Sequence, residues 1–176
     1  MRPFSPLPPP GYTLEPLSER HDRTAFSCGV PALDSYLARQ AGQDVKRGVS
    51  RVYVLAAADR EMVAGYFSLS AATIAISDLP PEMARRLPRY PFVPATLMGR
   101  LAVASSHRGR DLGEFLLLSA LFLSWQASRQ VASAAVLVDA KDDSARGFYE
   151  RYGFIRFPDQ SNRLFLPMKT VEQLLG

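Results

Sequence analysis

The stretch "RLAVASSHRGRDLGEFLLLSA", Arg100 to Ala120, decides the fold. It begins as an apolar strand, breaks into a basic turn containing Gly109 and Gly113, and runs directly into a helical pattern through Leu112, Phe115, Leu116 and Ser119. Strand, tight turn and helix in immediate succession are the working parts of a layered α/β domain. Backbone N–H groups of such a turn, together with the free N–H groups at the helix start, form a concave patch that favours an anion such as a pyrophosphate. Arg108 and Arg110 add charge, and Gly109 and Gly113 allow close approach. Asp111 opposes this, because it puts a carboxylate at the anion's place. A second reading of the same residues is helix capping, with Asp111 accepting N–H bonds at the helix start and Glu114 reaching back.

Working outward, Thr96 to Ala104 reads as one buried strand entering the turn. Upstream, Tyr12 to Leu17 alternates like a strand, and Leu33, Tyr36, Leu37, Ala41 and Val45 recur at helical spacing in a helix closed by Gly48. Arg51 to Ala58 and Met62 to Ile74 form a hairpin joined by the charged turn "DRE". Prolines at 80, 81, 88, 91 and 94 restrict the next segment to a short helix, Pro81 to Arg86, and an extended connection. Downstream come a helix over 112–129 with Leu112, Phe115, Leu116, Ser119, Phe122 and Leu123 on its apolar face, and a strand from Ser133 to Ala140. A helix to about Tyr152, stopped by Gly153, and a closing strand "RLFLPMKT" complete the order. The pattern is mixed α/β in one domain, residues 12–176, behind a proline-rich, disordered lead-in over 1–11.

The chain has 176 residues, enough for a real core, with 47% hydrophobic and 22% charged residues, as in ordinary soluble domains. All but three of the 21 basic residues are arginines, the exceptions being Lys46, Lys141 and Lys169, and the net charge is +4. Arginine pairs bidentately with phosphates and carboxylates, so an anionic ligand or partner and a mere coding preference both account for this. The single cysteine, Cys28, excludes an intramolecular disulfide or a multi-cysteine zinc site. The longest strongly apolar run, Phe115 to Trp125, is too short for a bilayer, and the N-terminus has no secretory pattern, so a cytoplasmic protein without membrane association is expected.

"ARGFYERYGF", Ala145 to Phe154, brings Phe148, Tyr149 and Tyr152 near one helix face. Such aromatics pack a core, or a phenol among them serves as general acid toward a departing thiolate. A basic scatter of Arg39, Lys46, Arg47 and Arg51, then Arg85, Arg86 and Arg89, is either a solvated surface or a phosphate-backbone footprint. No aromatic-rich base-reading motif accompanies it. Zinc-ligand spacing, a P-loop and a nucleophile elbow are missing from the sequence, so no metal is expected, and His21 and His107 read as solvated or structural.

Together, "LMGRLAVASSHRGRDLGEFLLL" at 97–118, "VLVDAKDDSARGFYERYGF" at 136–154 and "LFLPMKT" at 164–170 resemble the GNAT N-acetyltransferase superfamily. With "LDSYLARQAGQDVKRGVSRVYVL" and "GYFSLSAATI" added, the chain resembles the toxin acetyltransferases of toxin–antitoxin modules, from about Leu14 to Thr170. The resemblance implies a mixed, mainly antiparallel sheet with helices on both faces. It implies acetyl-CoA bound by Leu101, Ala102 and Val103 at the pantetheine arm and by Arg108, Gly109, Arg110, Asp111, Leu112 and Gly113 at the pyrophosphate. Asp142, Ala145 and Phe148 join that cofactor set. Tyr149 would protonate the CoA thiolate, and the seven basic residues above would seat an aminoacyl-tRNA whose α-amine is acetylated, blocking translation. A ribbon–helix–helix antitoxin and a homodimer are implied partners. One departure stands out: the middle glycine of the family's turn is Asp111 here, which implies a formed but weakened acetyl-CoA site. Two other functions stay open, acetylation of a small-molecule or protein amine, and an interaction module that no longer binds CoA.

Overall fold

The computed structural model describes residues 6–57 and 61–176. Met1 to Ser5 of the expected disordered lead-in, and Asp59 and Arg60 of the expected hairpin turn, lie outside the described residues. The lead-in closes with a turn in which the Tyr12 amide donates to the Pro9 carbonyl at 3.1 Å.

The elements are β1 (Tyr12–Pro16), α1 (Pro31–Ser35), a π-helical turn (Tyr36–Gln40), α2 (Ala41–Lys46), β2 (Arg51–Ala57), β3 (Met62–Ala75), α3 (Pro81–Ala84), β4 (Phe92–Val103), α4 (Leu112–Ser128), β5 (Ala135–Asp139), α5 (Asp143–Arg151), β6 (Ile155–Phe157), β7 (Gln160–Pro167) and α6 (Met168–Leu175). The strands form a mixed, mostly antiparallel sheet in the order β1-β2-β3-β4-β5-β7-β6. Its parallel pair is β4 with β5, in register from Thr96 opposite Val136 to Met98 opposite Val138, and β4 runs on to Val103.

Two compact units divide the chain. The first gathers the described residues up to Ser70 with Arg100–Ala120; the second gathers Ala71–Gly99 with Leu121–Gly176. In the first, Phe26, Tyr36, Leu37, Val52, Val54, Tyr66 and Ala102 pack as a core. β3 and α4 come into near contact at Gly65, where a Cβ would lie 2.8 Å from Leu116 Cδ1 and 2.9 Å from the Ala102 carbonyl oxygen. Only hydrogen fits there. In the second, Ile74, Val93, Ala95, Leu137, Phe157 and Phe165 form the core.

Several expected boundaries shift for local reasons. The closing strand ends at Pro167, whose missing N–H cannot extend a ladder, and Met168 to Thr170 instead open α6, which buries Val171 and Leu175. β6 was not expected, being three residues held against β7 across a register shift. The short helix ends at Ala84 rather than Arg86. Along α4, Leu117, Ala120, Leu121 and Ser124 are buried as well, whereas Phe122 and Leu123 are only half-buried, so this helix is enclosed on most sides rather than on one stripe.

Candidate functional site

In the first unit β4 leads through a 3₁₀ turn, Ser105–His107, into Arg108, Gly109, Arg110 and Asp111, and α4 starts at Leu112. Gly109 has φ 78° and Asp111 φ 57°, and Asp111 is the one non-glycine described residue in the left-handed region. That conformation costs an ordinary L-residue about 1–2 kcal/mol, and aspartate is among the few that visit it routinely. It also corrects the capping expectation. A capping residue needs extended dihedrals to turn its carboxylate onto the helix amides, and left-handed Asp111 makes no side-chain hydrogen bond or ion pair among the described residues. Its carbonyl accepts from the Phe115 amide at 3.2 Å, and Glu114 is exposed. No capping box forms. The amides of Leu112, Gly113 and Glu114 precede any carbonyl that their own helix could offer, so they stay available to an anion.

Both arginines of the turn are tied to the N-terminal part of the chain. Arg108 Nη2 donates to the Cys28 carbonyl at 2.6 Å, passing so close to Gly29 that a Cβ there would lie 2.9 Å from it. Arg110 Nη1 donates to the Tyr12 hydroxyl at 2.9 Å, and that hydroxyl lies 2.8 Å from His107 Nδ1. Burial first, and the Arg110 charge second, hold His107 below its ordinary value. His107 is thus neutral, with its proton on Nδ1 or Nε2, and the Tyr12 hydroxyl bridges its Nδ1 to Arg110, from which the phenol oxygen accepts. Neither arginine pairs with Asp111. His21, expected without a partner, is buried with Nε2 2.7 Å from Glu15 Oε1 and Nδ1 accepting from the Ser18 amide at 3.0 Å.

Leu101 and Val103 are half-buried on β4, while Ala102 alternates into the core of the unit. Arg39 sits in the π-helical turn, Lys46 ends α2, Arg47 follows it and Arg51 begins β2; all four are exposed.

In the second unit, Asp142 caps α5, its Oδ1 accepting from the Ala145 amide at 2.8 Å with extended φ, −159°. Phe148 lies edge-on to both Tyr149 and Tyr152, and Tyr149 packs against Phe154, with ring centroids 5.3 to 5.4 Å apart. The Tyr149 ring is 8% exposed and its hydroxyl has no hydrogen-bond partner among the described residues. Burial alone pushes this phenol up to about 12, so it holds its proton at neutral pH and is an acid without a prior acceptor. Arg85, Arg86 and Arg89 follow α3 on the proline-rich connection, all exposed. None of these seven basic residues is ion-paired among the described residues.

Residues 49–156 match the acetyltransferase (GNAT) domain. The chain belongs to the GNAT acetyltransferase family. A protein of Mycobacterium tuberculosis named tRNA-acetylating toxin is 36% identical over 160 residues, covering 91% of this chain and 94% of that protein. Among solved structures, AtaT complexed with acetyl-methionyl-tRNAfMet is 29% identical with a TM-score of 0.86, covering 94% of this chain and 99% of that one. A mutant AtaT toxin bound to the C-terminus of the antitoxin AtaR and acetyl-CoA is 27% identical, with a TM-score of 0.78 over 93% and 98%.

In this GNAT chain, the strand, turn and helix expected from Arg100 to Ala120 follow one another in the first unit, and the expected helix α5 carries Phe148 and Tyr149 in the second. Tyr12, His107, the Cys28 carbonyl and Gly29 are the parts that sequence reading missed. They reach the turn only through the fold. Among the described residues there is no group of three or more metal-ligating side chains and no helix long and apolar enough to cross a membrane.

Proposed function

We propose that the chain is an acetyl-CoA-dependent N-acetyltransferase of the α-amine of aminoacyl-tRNA and thereby inhibits translation. The observation that carries this is the near full-length likeness to a tRNA-acetylating toxin, joined to a protonated, unpartnered phenol at Tyr149. The turn from Arg108 to Gly113 takes the pyrophosphate of acetyl-CoA, and Leu101 to Val103 take its pantetheine arm through backbone groups. Asp142, Ala145 and Phe148 support the cofactor from α5.

The chemistry follows from those groups. An α-amino group titrates near pH 8, so much of it is neutral at physiological pH after losing a proton to water. The neutral amine attacks the thioester carbonyl and forms a C–N bond. The tetrahedral adduct then expels the CoA sulfur, Tyr149 gives its proton to that thiolate, and the proton leaving the new amide nitrogen passes through water to restore the Tyr149 phenol. Holding both substrates together supplies most of the acceleration. The seven unpaired basic side chains seat the tRNA backbone. By the same likeness, the partner in the cell is a ribbon–helix–helix antitoxin, the working form a homodimer, the compartment the cytoplasm, and residues 12–176 one catalytic domain.

The test is transfer of label from radioactive acetyl-CoA to bulk charged tRNA, with uncharged tRNA, polyamines and peptides alongside. Label confined to charged tRNA is expected. Label on polyamines or peptides instead assigns a small-molecule or protein amine, and failure to bind acetyl-CoA assigns an interaction module.

A further inference from the structure

One cation in the first unit stands apart from the seven already considered. Arg100 is half-buried on β4, next to the proposed pantetheine segment, and its guanidinium carbon lies 3.4 Å from the centre of the Tyr36 ring. At that distance the fork lies on the aromatic face and its N–H groups are left at the edge. They donate to no oxygen among the described residues.

The platform beneath it is built by an irregularity in the helix. Tyr36 and Asp44 are eight positions apart, which in a regular α-helix separates them by about 80° around the axis. The π-helical turn Tyr36–Gln40 absorbs one extra residue and brings the pair to within roughly 20°. The Tyr36 hydroxyl then donates to Asp44 Oδ2 at 2.8 Å, while Gln40 Nε2 donates to Oδ1 at 3.0 Å. A carboxylate thus holds the ring that carries the guanidinium without a hydrogen bond to it, and the Arg100 charge, after the hydrogen bonds from Gln40 and Tyr36, helps hold Asp44 below its ordinary value. In the same unit Ser68, cross-strand from Val52 of the Tyr36 core, is 1% exposed and its hydroxyl has no partner among the described residues. Buried hydroxyls and half-buried guanidinium groups are seldom left so unless a ligand completes them.

We propose that Arg100, presented by Tyr36, binds the phosphate of the terminal, aminoacylated nucleotide of the acceptor tRNA. This rests on the aminoacyl-tRNA reading above. The planar fork matches a phosphodiester bidentately. Its place beside Leu101 to Val103, where the thioester end of the cofactor would lie, restricts it to the nucleotide that bears the reacting amine. Arg100 is a positioning residue; it touches neither the amine nor the thioester.

The experiment uses the full chain with Arg100→Gln and Arg100→Lys. In Arg100→Gln, KM for charged tRNA rises about tenfold, as expected for loss of a charge-assisted hydrogen bond. kcat changes less than twofold, and calorimetry gives unchanged acetyl-CoA affinity. The slope of log kcat/KM against log salt becomes shallower by about 0.7, one single-strand phosphate contact fewer. Arg100→Lys restores the salt slope and recovers KM only in part. On wild type, an aminoacyl-adenosine bearing a 5′-phosphate is acetylated at lower concentration than one without it, which tests the idea even where a variant does not fold. Unchanged KM and salt slope in Arg100→Gln, or indifference of wild type to the 5′-phosphate, overturn the proposal and leave the substrate reading standing. A wild-type protein that acetylates no charged tRNA overturns both.

Discussion

Replacing Asp111 by glycine should tighten acetyl-CoA binding, and Coulomb's law bounds the size of the effect. The carboxylate sits in the turn proposed to hold the pyrophosphate, in a backbone conformation that glycine adopts freely, so the substitution leaves the path of the chain intact. Two unit charges roughly 6 Å apart, at an effective dielectric of about 20 to 80, repel by about 0.7 to 2.8 kcal/mol. That corresponds to about 3-fold to 100-fold in Kd. Arg108 and Arg110 keep their charges and offset part of this repulsion, although Arg108 donates to the Cys28 carbonyl and Arg110 to Tyr12 and neither pairs with Asp111.

Isothermal titration of acetyl-CoA into wild type, Asp111→Gly and Asp111→Asn separates charge from conformation. Asparagine tolerates the left-handed region and carries no charge. If repulsion is the cause, both variants tighten binding by similar factors, and the gain shrinks as salt is raised. A gain in glycine alone assigns the effect to backbone strain. Unchanged or weaker binding in both variants refutes the reasoning, and the acid then contributes nothing adverse to the cofactor.

Three further outcomes are expected. Tyr149→Phe abolishes most acetyl transfer but keeps acetyl-CoA affinity; full activity would return the phenol to packing. Because burial raises Tyr149 above its ordinary value, to about 12, its protonated form persists as pH rises. The wild-type rate should therefore climb as the amine deprotonates and show no descending limb below about pH 10. Tyr12→Phe removes the bridge between Arg110 and His107 and should raise KM for acetyl-CoA about fivefold with kcat unchanged, a net loss of about 1 kcal/mol; an equal fall in kcat would place Tyr12 elsewhere in the reaction. Gly65→Ala presses a methyl group against fully buried Leu116 and the Ala102 carbonyl, costing about 1–3 kcal/mol. Differential scanning calorimetry should show Tm lower by roughly 2–10 °C, and an unchanged Tm would mean that β3 and α4 yield there freely.

Much of the fold was legible because its signals are local. The apolar strand of β4, the glycines of the turn and the helical spacing of α4 are properties of adjacent residues, and the aromatic face of α5 needs only one helix to be seen. The errors arise where a local pattern has two physical solutions. Asp111 and Glu114 have the spacing of a capping box, and they form one only if the chain enters the helix extended. It enters left-handed, with Asp111 at φ 57° immediately before Leu112. Tyr36 and Asp44 do not share a face at α-helical spacing, so their hydrogen bond is invisible until the π-helical turn is known. Tyr12 and His107 are 95 positions apart, and no periodicity connects them.

These misreadings share a cause that also bears on function. Glycine and aspartate differ greatly in charge but overlap in the one backbone conformation that this turn demands, so the position is constrained by shape and free in electrostatics. The anchors of the turn lie outside it, in Tyr12 and the Cys28 carbonyl, and they maintain its path whichever residue stands at 111. Asp111→Gly should therefore alter cofactor affinity without disturbing Tyr149, the proposed acid for the thiolate, or Arg100, the proposed contact to the acceptor. If the titrations bear this out, cofactor occupancy at a given acetyl-CoA concentration is adjusted at this position separately from the rate of transfer.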